Sequence, residues 1–212
     1  MIRVLLADDH AGVRAGMRLM LEAATDVEVI GEAADGAVAV RQAAALRPDV
    51  VLMDIRMPGV DGISATRDIT AAGHADVLVL TTFDLDEYLF GALRAGAAGF
   101  LLKSVEPGAL IDAVRRVAAG DGVLAPEVTR RLLTAFAETP APRTAPAALD
   151  HLTDRERDVL AALGRGLSNA DLAAELAITE ATAKTHVSRV LAKLNCASRV
   201  QAAILAKEAG IA

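Results

Sequence analysis

Five short apolar runs punctuate the first half of the chain: Val4–Ala7, Val27–Ile30, Val50–Met53, Val77–Leu80 and Phe100–Leu102. They are nearly continuous rather than alternating, the pattern of strands covered on both faces in a parallel sheet. Between them apolar residues return at helical spacing. Val13, Met17, Met20 and Leu21 share one face of such a segment; Leu110, Val114 and Val117 share another behind Pro107, which suits a first helical turn. Strand and helix repeated five times predict an α/β fold, a doubly wound five-stranded parallel sheet.

The end of the chain carries helical periodicity alone. Thr153-Asp154-Arg155-Glu156 has the spacing of a capping box ahead of Val159, Leu160 and Leu163, and Gly164 and Gly166 stop that helix. Ser168 caps a second helix from Asn169 to about Leu176. After a turn through Ile178, Thr179 caps a third, on which Ala183, Val187, Val190, Leu191 and Leu194 form one buried stripe. Its opposite face centres on Thr185, flanked by Ser188, Arg189 and Ala192, with Lys184 at the edge. A fourth helix runs from Ser198 to about Ala209, with Val200, Ala203 and Ile204 apolar. This predicts a small all-α domain. Two helices joined by a tight turn, the second with a small polar and basic face, fit a helix-turn-helix that docks in a DNA major groove.

Between the two parts lies Glu138–Asp150, with three prolines in thirteen residues, which reads as an extended linker. Ahead of it, Pro126–Ala137 places Val128, Leu132, Leu133 and Phe136 at helical spacing. The expected organisation is a first domain over 1–122, a linker over 123–150 with a helix at 126–137, and a helical domain over 151–212.

Charge sharpens the division. Residues 1–122 carry 11 basic and 18 acidic side chains, net −7, whereas residues 150–212 carry 8 of each. A neutral domain is a poor partner for nucleic acid, but from Ala181 onward Lys184, Arg189, Lys193, Arg199 and Lys207 oppose only Glu208, so the field near the third helix is expected to be positive. The mean hydropathy is positive at +0.38. The longest stretch free of Asp, Glu, Lys and Arg is still only Ala95–Leu102, far short of the roughly 18 apolar residues a membrane span needs. One cysteine, Cys196, offers neither an internal disulfide nor a metal-ligand cluster. The expectation is a soluble, cytoplasmic protein with no membrane partner.

In doubly wound sheets, chemistry collects beyond the carboxyl ends of the strands. Asp8 and Asp9 follow the first run, Asp54 the third, Thr81 ends the fourth and Lys103 follows the fifth. Each alone has an ordinary reading, as a turn residue, a strand end or a solvated charge. Together they bring three carboxylates, a hydroxyl and an ammonium to one edge. Carboxylates gathered in this way repel, and a hard cation such as Mg2+ relieves the repulsion. Asp54 then reads as a nucleophile that accepts a phosphoryl group as an acyl phosphate, with Mg2+, Lys103 and Thr81 meeting the peripheral oxygens.

The stretches LLADDH (Leu5–His10), VLMDIRMPGVDG (Val51–Gly62), VLTTFD (Val79–Asp84) and AGAAGFLLK (Ala95–Lys103) resemble the receiver domain of two-component response regulators, with its flavodoxin-like strand order. The resemblance implies that Asp54 takes phosphate from a sensor histidine kinase. It implies that Asp8, Asp9, Asp54 and the backbone carbonyl of Arg56 hold Mg2+. It also implies a switch in which Thr81 moves toward the phosphate and Phe100 turns into the space left. The segment from Leu152 to Ala209 is similar to the LuxR-type helix-turn-helix, most specifically from Gly166 to Asn195. By that likeness Lys184, Thr185, Ser188 and Arg189 approach double-stranded DNA, and the fourth helix carries the contact of a homodimer formed on activation. This arrangement resembles that of the NarL/FixJ-type regulators over most of the chain, so the protein is expected to regulate transcription and not to be an enzyme.

Two rival classes differ in readable ways. A phosphohydrolase built on Asp54 often places a second acid two residues on, where this chain has Arg56. A ligand-sensing LuxR-type activator needs an apolar pocket in its first domain, which Asp8, Asp9 and Asp54 argue against.

Overall fold

The computed structural model of the chain describes residues 1–81, 86–124, 149 and 151–212, with backbone only at 86 and 87. The first unit alternates β1 (Ile2–Ala7), α1 (Ala11–Glu22), β2 (Val27–Ala33), α2 (Gly36–Leu46), β3 (Val50–Asp54), α3 (Gly62–Ala71), β4 (Asp76–Thr81), α4 (Asp86–Arg94), β5 (Gly99–Leu102) and α5 (Pro107–Ala118). The strands lie in the order β2-β1-β3-β4-β5-β6, and every pairing is parallel. The sheet therefore has six strands, not the expected five. The sixth, β6 (Val123–Leu124), pairs with Gly99 and Phe100 of β5 and takes in two residues that the sequence pattern left to the linker. Two residues are too few for any period to announce. The expected helix at 126–137 and nearly all of the expected linker lie outside the described residues.

The local causes of these elements are visible in the chain. Asp35 caps α2 by accepting from Val38 N at 2.8 Å, and Pro107 occupies the first turn of α5. Every residue of β3 is buried because both faces of the sheet are covered, one by the paired α1 and α5, which bury Met17, Leu21, Leu110, Val114 and Val117, the other by α2, α3 and α4, with Ala65 and Ile69 of α3 buried.

The second unit is α6 (Asp154–Gly164), α7 (Asn169–Glu175), α8 (Glu180–Leu194) and α9 (Arg199–Glu208). Thr153 and Glu156 form the expected capping box, Ser168 and Asp171 form another, and Thr179 and Ser198 cap the last two helices. Ala183, Val187, Val190 and Leu194 of α8 are buried in the helical core. The last helix departs from expectation. Its buried residues are Arg199, Val200, Ala202 and Ala206, because two cores claim it: Val200 joins the core of the sheet unit and Ile204 packs against it, while Ala202 and Ala206 join the helical core. Among the described residues no helix is long and apolar enough to cross a membrane.

Candidate functional site

The carboxyl edge of the sheet gathers the predicted residues. Asp8 follows β1 and Asp54 ends β3, and their residues are only 1% and 6% exposed. Lys103, just past β5, sets its Nζ 2.7 Å from Asp8 Oδ2 and 2.9 Å from Asp54 Oδ1. Burial pushes the Asp54 carboxyl above its ordinary value, against the pull of Lys103. Burial also works against the Lys103 charge, but the two carboxylates outweigh it and hold its pKa above the usual lysine value. Thr81 is buried at the end of β4, and the Lys103 amide donates to its carbonyl at 2.7 Å, which fixes the two strand ends side by side. Phe100 lies wholly inside the core on β5.

Asp9 stands at the mouth. Asp8, Asp9 and His10 present ligand atoms within 4.8 Å of one another, and His10 Nδ1 lies 2.7 Å from Asp9 Oδ1. Asp54 is joined to this group through Asp8 and Lys103. The donor set is hard oxygen, two of its carboxylates are buried, and one ammonium cannot neutralise three of them. That arrangement fits Mg2+.

Apart from Gly59, which with Pro58 fits a turn after the third strand, the supporting residues were not singled out by sequence reasoning. Gly62 opens α3 against the end of β3: its amide donates to Ile55 O at 2.8 Å, and a Cβ there would stand 1.8 Å from the Asp54 carbonyl oxygen. Asp61 caps the same helix, accepting from Ile63 N and Ser64 N at 2.9 Å. Gly59 turns the intervening loop at φ 74°, a backbone state side chains rarely adopt. Arg14 donates from Nη1 to Asp8 O at 2.7 Å and from Nε to Glu32 at 3.0 Å, steadying the loop after β1. The glycine signal was present in the Asp61-Gly62 pair. Arg14 gave none, since one partner is a backbone oxygen and the other, Glu32, lies 18 positions away.

On the helical unit, Lys184, Thr185, Ser188 and Arg189 are all exposed on α8. Thr185 Oγ1 donates to Ala181 O at 3.0 Å and Ser188 Oγ to Lys184 O at 2.9 Å, so both hydroxyl protons return to the helix. The expected positive field needs correction. Lys193 is paired with Glu156 at 2.7 Å, and Arg199 is buried against Asp121 at 2.6 Å, so two of the five cations counted near α8 are neutralised by acids distant in sequence. Burial raises the Asp76 carboxyl, with the Lys184 charge pulling the other way.

Comparison with known proteins agrees with this division. The response regulator receiver domain matches residues 4–115, and the bacterial regulatory proteins of the luxR family match residues 150–206. A transcriptional regulatory protein of Bacillus subtilis, YxjL, is 41% identical over 99% of this chain and 97% of its own. LiaR of the same organism is 41% identical over 97% of both. Among solved structures, the response regulator ChrA of a heme-sensing two-component system is 42% identical, with a TM-score of 0.56 over 100% of this chain and 98% of that one. A parallel sheet with acids at its carboxyl edge, followed by a four-helix unit, defines a signal receiver joined to a DNA-binding output. The chain belongs to the two-component response regulators with a LuxR-type DNA-binding domain.

Proposed function

We propose that the protein is a phosphorylation-controlled transcription regulator in which Asp54 accepts phosphate from a sensor histidine kinase. An Asp54 carboxylate oxygen attacks the phosphorus of phosphohistidine in line; the new P–O bond forms as the P–N bond breaks, and the imidazole nitrogen leaves with the electron pair. Asp8, Asp9, Asp54 and the Arg56 carbonyl would hold Mg2+, which supplies charge neutralisation to the peripheral oxygens. Lys103 adds a second positive charge there, and Thr81 a hydroxyl. The observation that carries the reading is the buried Asp54 carboxylate held 2.9 Å from an ammonium that also holds Asp8.

New charge at Asp54 biases the packing of Thr81 and Phe100, and through them the face formed by β4, α4 and β5. The output is double-stranded DNA, with Lys184, Thr185, Ser188 and Arg189 of α8 at the bases and phosphates, bound as a homodimer formed on activation. In this reading a receiver that extends through β6 at 124 is followed by a linker and an output domain over 151–212, and the protein acts in the cytoplasm without enzymatic turnover of its own.

Incubation with acetyl phosphate and Mg2+, followed by intact mass measurement, tests the reading. One phosphoryl group should appear on the wild-type chain and none on Asp54→Asn. An adduct that survives this substitution places the nucleophile elsewhere.

A further inference from the structure

His10 holds both of the acidic residues that precede it. Its amide donates to Asp8 Oδ1 at 2.9 Å, and its ring sets Nδ1 2.7 Å from Asp9 Oδ1 and 3.7 Å from Asp8 Oδ1. The residue is also the N-cap of α1, yet its side chain makes no capping bond. Ser, Thr, Asp and Asn serve that position better. Capping therefore does not account for a histidine here. Packing does not either, since the side chain is 72% exposed.

The carboxylates of the site are unequally committed. Lys103 holds Asp8 Oδ2 and Asp54 Oδ1, and Asp54 Oδ1 also accepts from Ile55 N at 2.9 Å. The Asp9 carboxylate is bonded, among the described residues, to the His10 ring, and its side chain is part exposed. A cation arriving from solvent thus meets Asp9 and His10 first, with Asp8 Oδ1 beside them.

That pair discriminates between classes of ion. Mg2+ takes oxygen ligands and gives up its water reluctantly. Imidazole nitrogen suits Zn2+ and its first-row neighbours, and Zn2+ accepts carboxylate as well. Two ligands placed ~2.1 Å from one Zn2+ stand no more than about 4.2 Å apart. Asp9 Oδ1 and Asp8 Oδ1 both lie inside that distance from His10 Nδ1.

We propose that His10 is a specificity-determining residue of the cation site: it adds a nitrogen ligand to Asp8 and Asp9 and so opens the receiver to Zn2+. An ion held by these three side chains occupies Asp8 and Asp9, and the Mg2+ concentration that the site needs rises in its presence. The competition rests on the reading that Asp8 and Asp9 hold Mg2+; the nitrogen ligand does not.

The test uses the full 15N-labelled chain stripped with a chelator, titrated with Zn2+ alone, Mg2+ alone and Zn2+ at rising Mg2+. Long-range NMR correlations follow the ring nitrogens of His10, and amide shifts follow Asp8, Asp9 and Asp54, so zinc bound at another histidine is not counted. Zn2+ should shift a His10 ring nitrogen as a metal-bound imidazole does, whereas Mg2+ should shift the three amides and leave the ring nitrogens unligated. Apparent Zn2+ affinity should fall as Mg2+ rises. His10→Gln keeps a side-chain amide to donate to Asp9 and lacks the imidazole. It should bind Zn2+ at these amides about tenfold more weakly or worse, the loss seen when even an outer-shell partner of a metal ligand is removed. Its Mg2+ affinity should match wild type.

A His10 ring that Zn2+ leaves unmoved overturns the proposal, as does a His10→Gln chain that binds Zn2+ at the Asp8 and Asp9 amides as tightly as wild type. Mg2+ shifts at those amides with no zinc on the ring would keep the Mg2+ reading and remove His10 from it. Zinc on the His10 ring of a chain whose amides ignore Mg2+ supports the nitrogen ligand and removes the Mg2+ reading alone.

Discussion

The Lys103 ammonium stands between Asp8 and Asp54, 2.7 Å from one carboxylate and 2.9 Å from the other. Removing it leaves two buried acids facing each other. Lys103→Ala should therefore cost about 2 kcal/mol of receiver stability in urea unfolding, and added Mg2+ should restore more of that loss than it adds to wild type. Equal Mg2+ stabilisation of both proteins would remove the metal from this cluster.

Asp54 itself is a strained occupant at neutral pH. Its carboxyl is raised above 3.8 by burial, so folding is disfavoured once pH climbs past that value and the group must ionise inside the protein. Asp54→Asn should be more stable than wild type at pH 7, and the gain should fade as pH drops toward 3.8. Parallel urea curves at pH 7 and pH 4 read this directly, and a gain that persists unchanged in acid would contradict it.

Gly62 faces the opposite constraint. A methyl group there has 1.8 Å to the Asp54 carbonyl, so Gly62→Ala must push α3 away from β3. A loss of about 3 kcal/mol is expected, at the upper end of overpacking, with slower phosphorylation by acetyl phosphate. Gly12→Ala, in open space on α1, should change neither.

Glu156 of the second unit is held down to about 2 by Lys193, by the Thr153 amide and by the Thr153 hydroxyl. A depressed carboxyl stabilises the fold above its unfolded value of 4.5, and the contribution drains away as pH falls toward 2. The melting temperature of Glu156→Gln should lie below wild type at pH 7 and converge with it at the acid end. Convergence at neutral pH instead would remove the ion pair from the stability of α6 and α8.

Two substitutions on α8 should separate sequence reading from phosphate contact. Arg189→Ala should weaken all duplexes alike and reduce the slope of log K against log salt by about 1, whereas Thr185→Ala should erode discrimination between sequences. Unchanged binding in both would place the DNA-reading surface elsewhere.

The site was legible because strand ends in a parallel sheet fall at one edge whatever the intervening helices do. Asp8, Asp54, Thr81 and Lys103 could thus be placed together from five apolar runs. The caps of the helical unit were legible for a similar reason, as Thr153 and Glu156 lie within one turn and Ser168, Thr179 and Ser198 stand directly ahead of the helices they open. What escaped were relations across long separations. Arg199 and Lys193 looked like free charge because Asp121 and Glu156 lie 78 and 37 positions away. The last helix looked ordinary because no single stripe reveals an element shared by two cores. β6 escaped through brevity.

The finishing of α4 and α5 by Gln201, Asn169 and Arg199 of the helical unit bears on how freely such regulators can be rebuilt. A hybrid that grafts a foreign output module onto this receiver would strand the Arg94, Ala119 and Gly120 oxygens unless the graft brings its own glutamine, asparagine and arginine to the same places. Without them the halves of the hybrid would share a tether and lack these bonds.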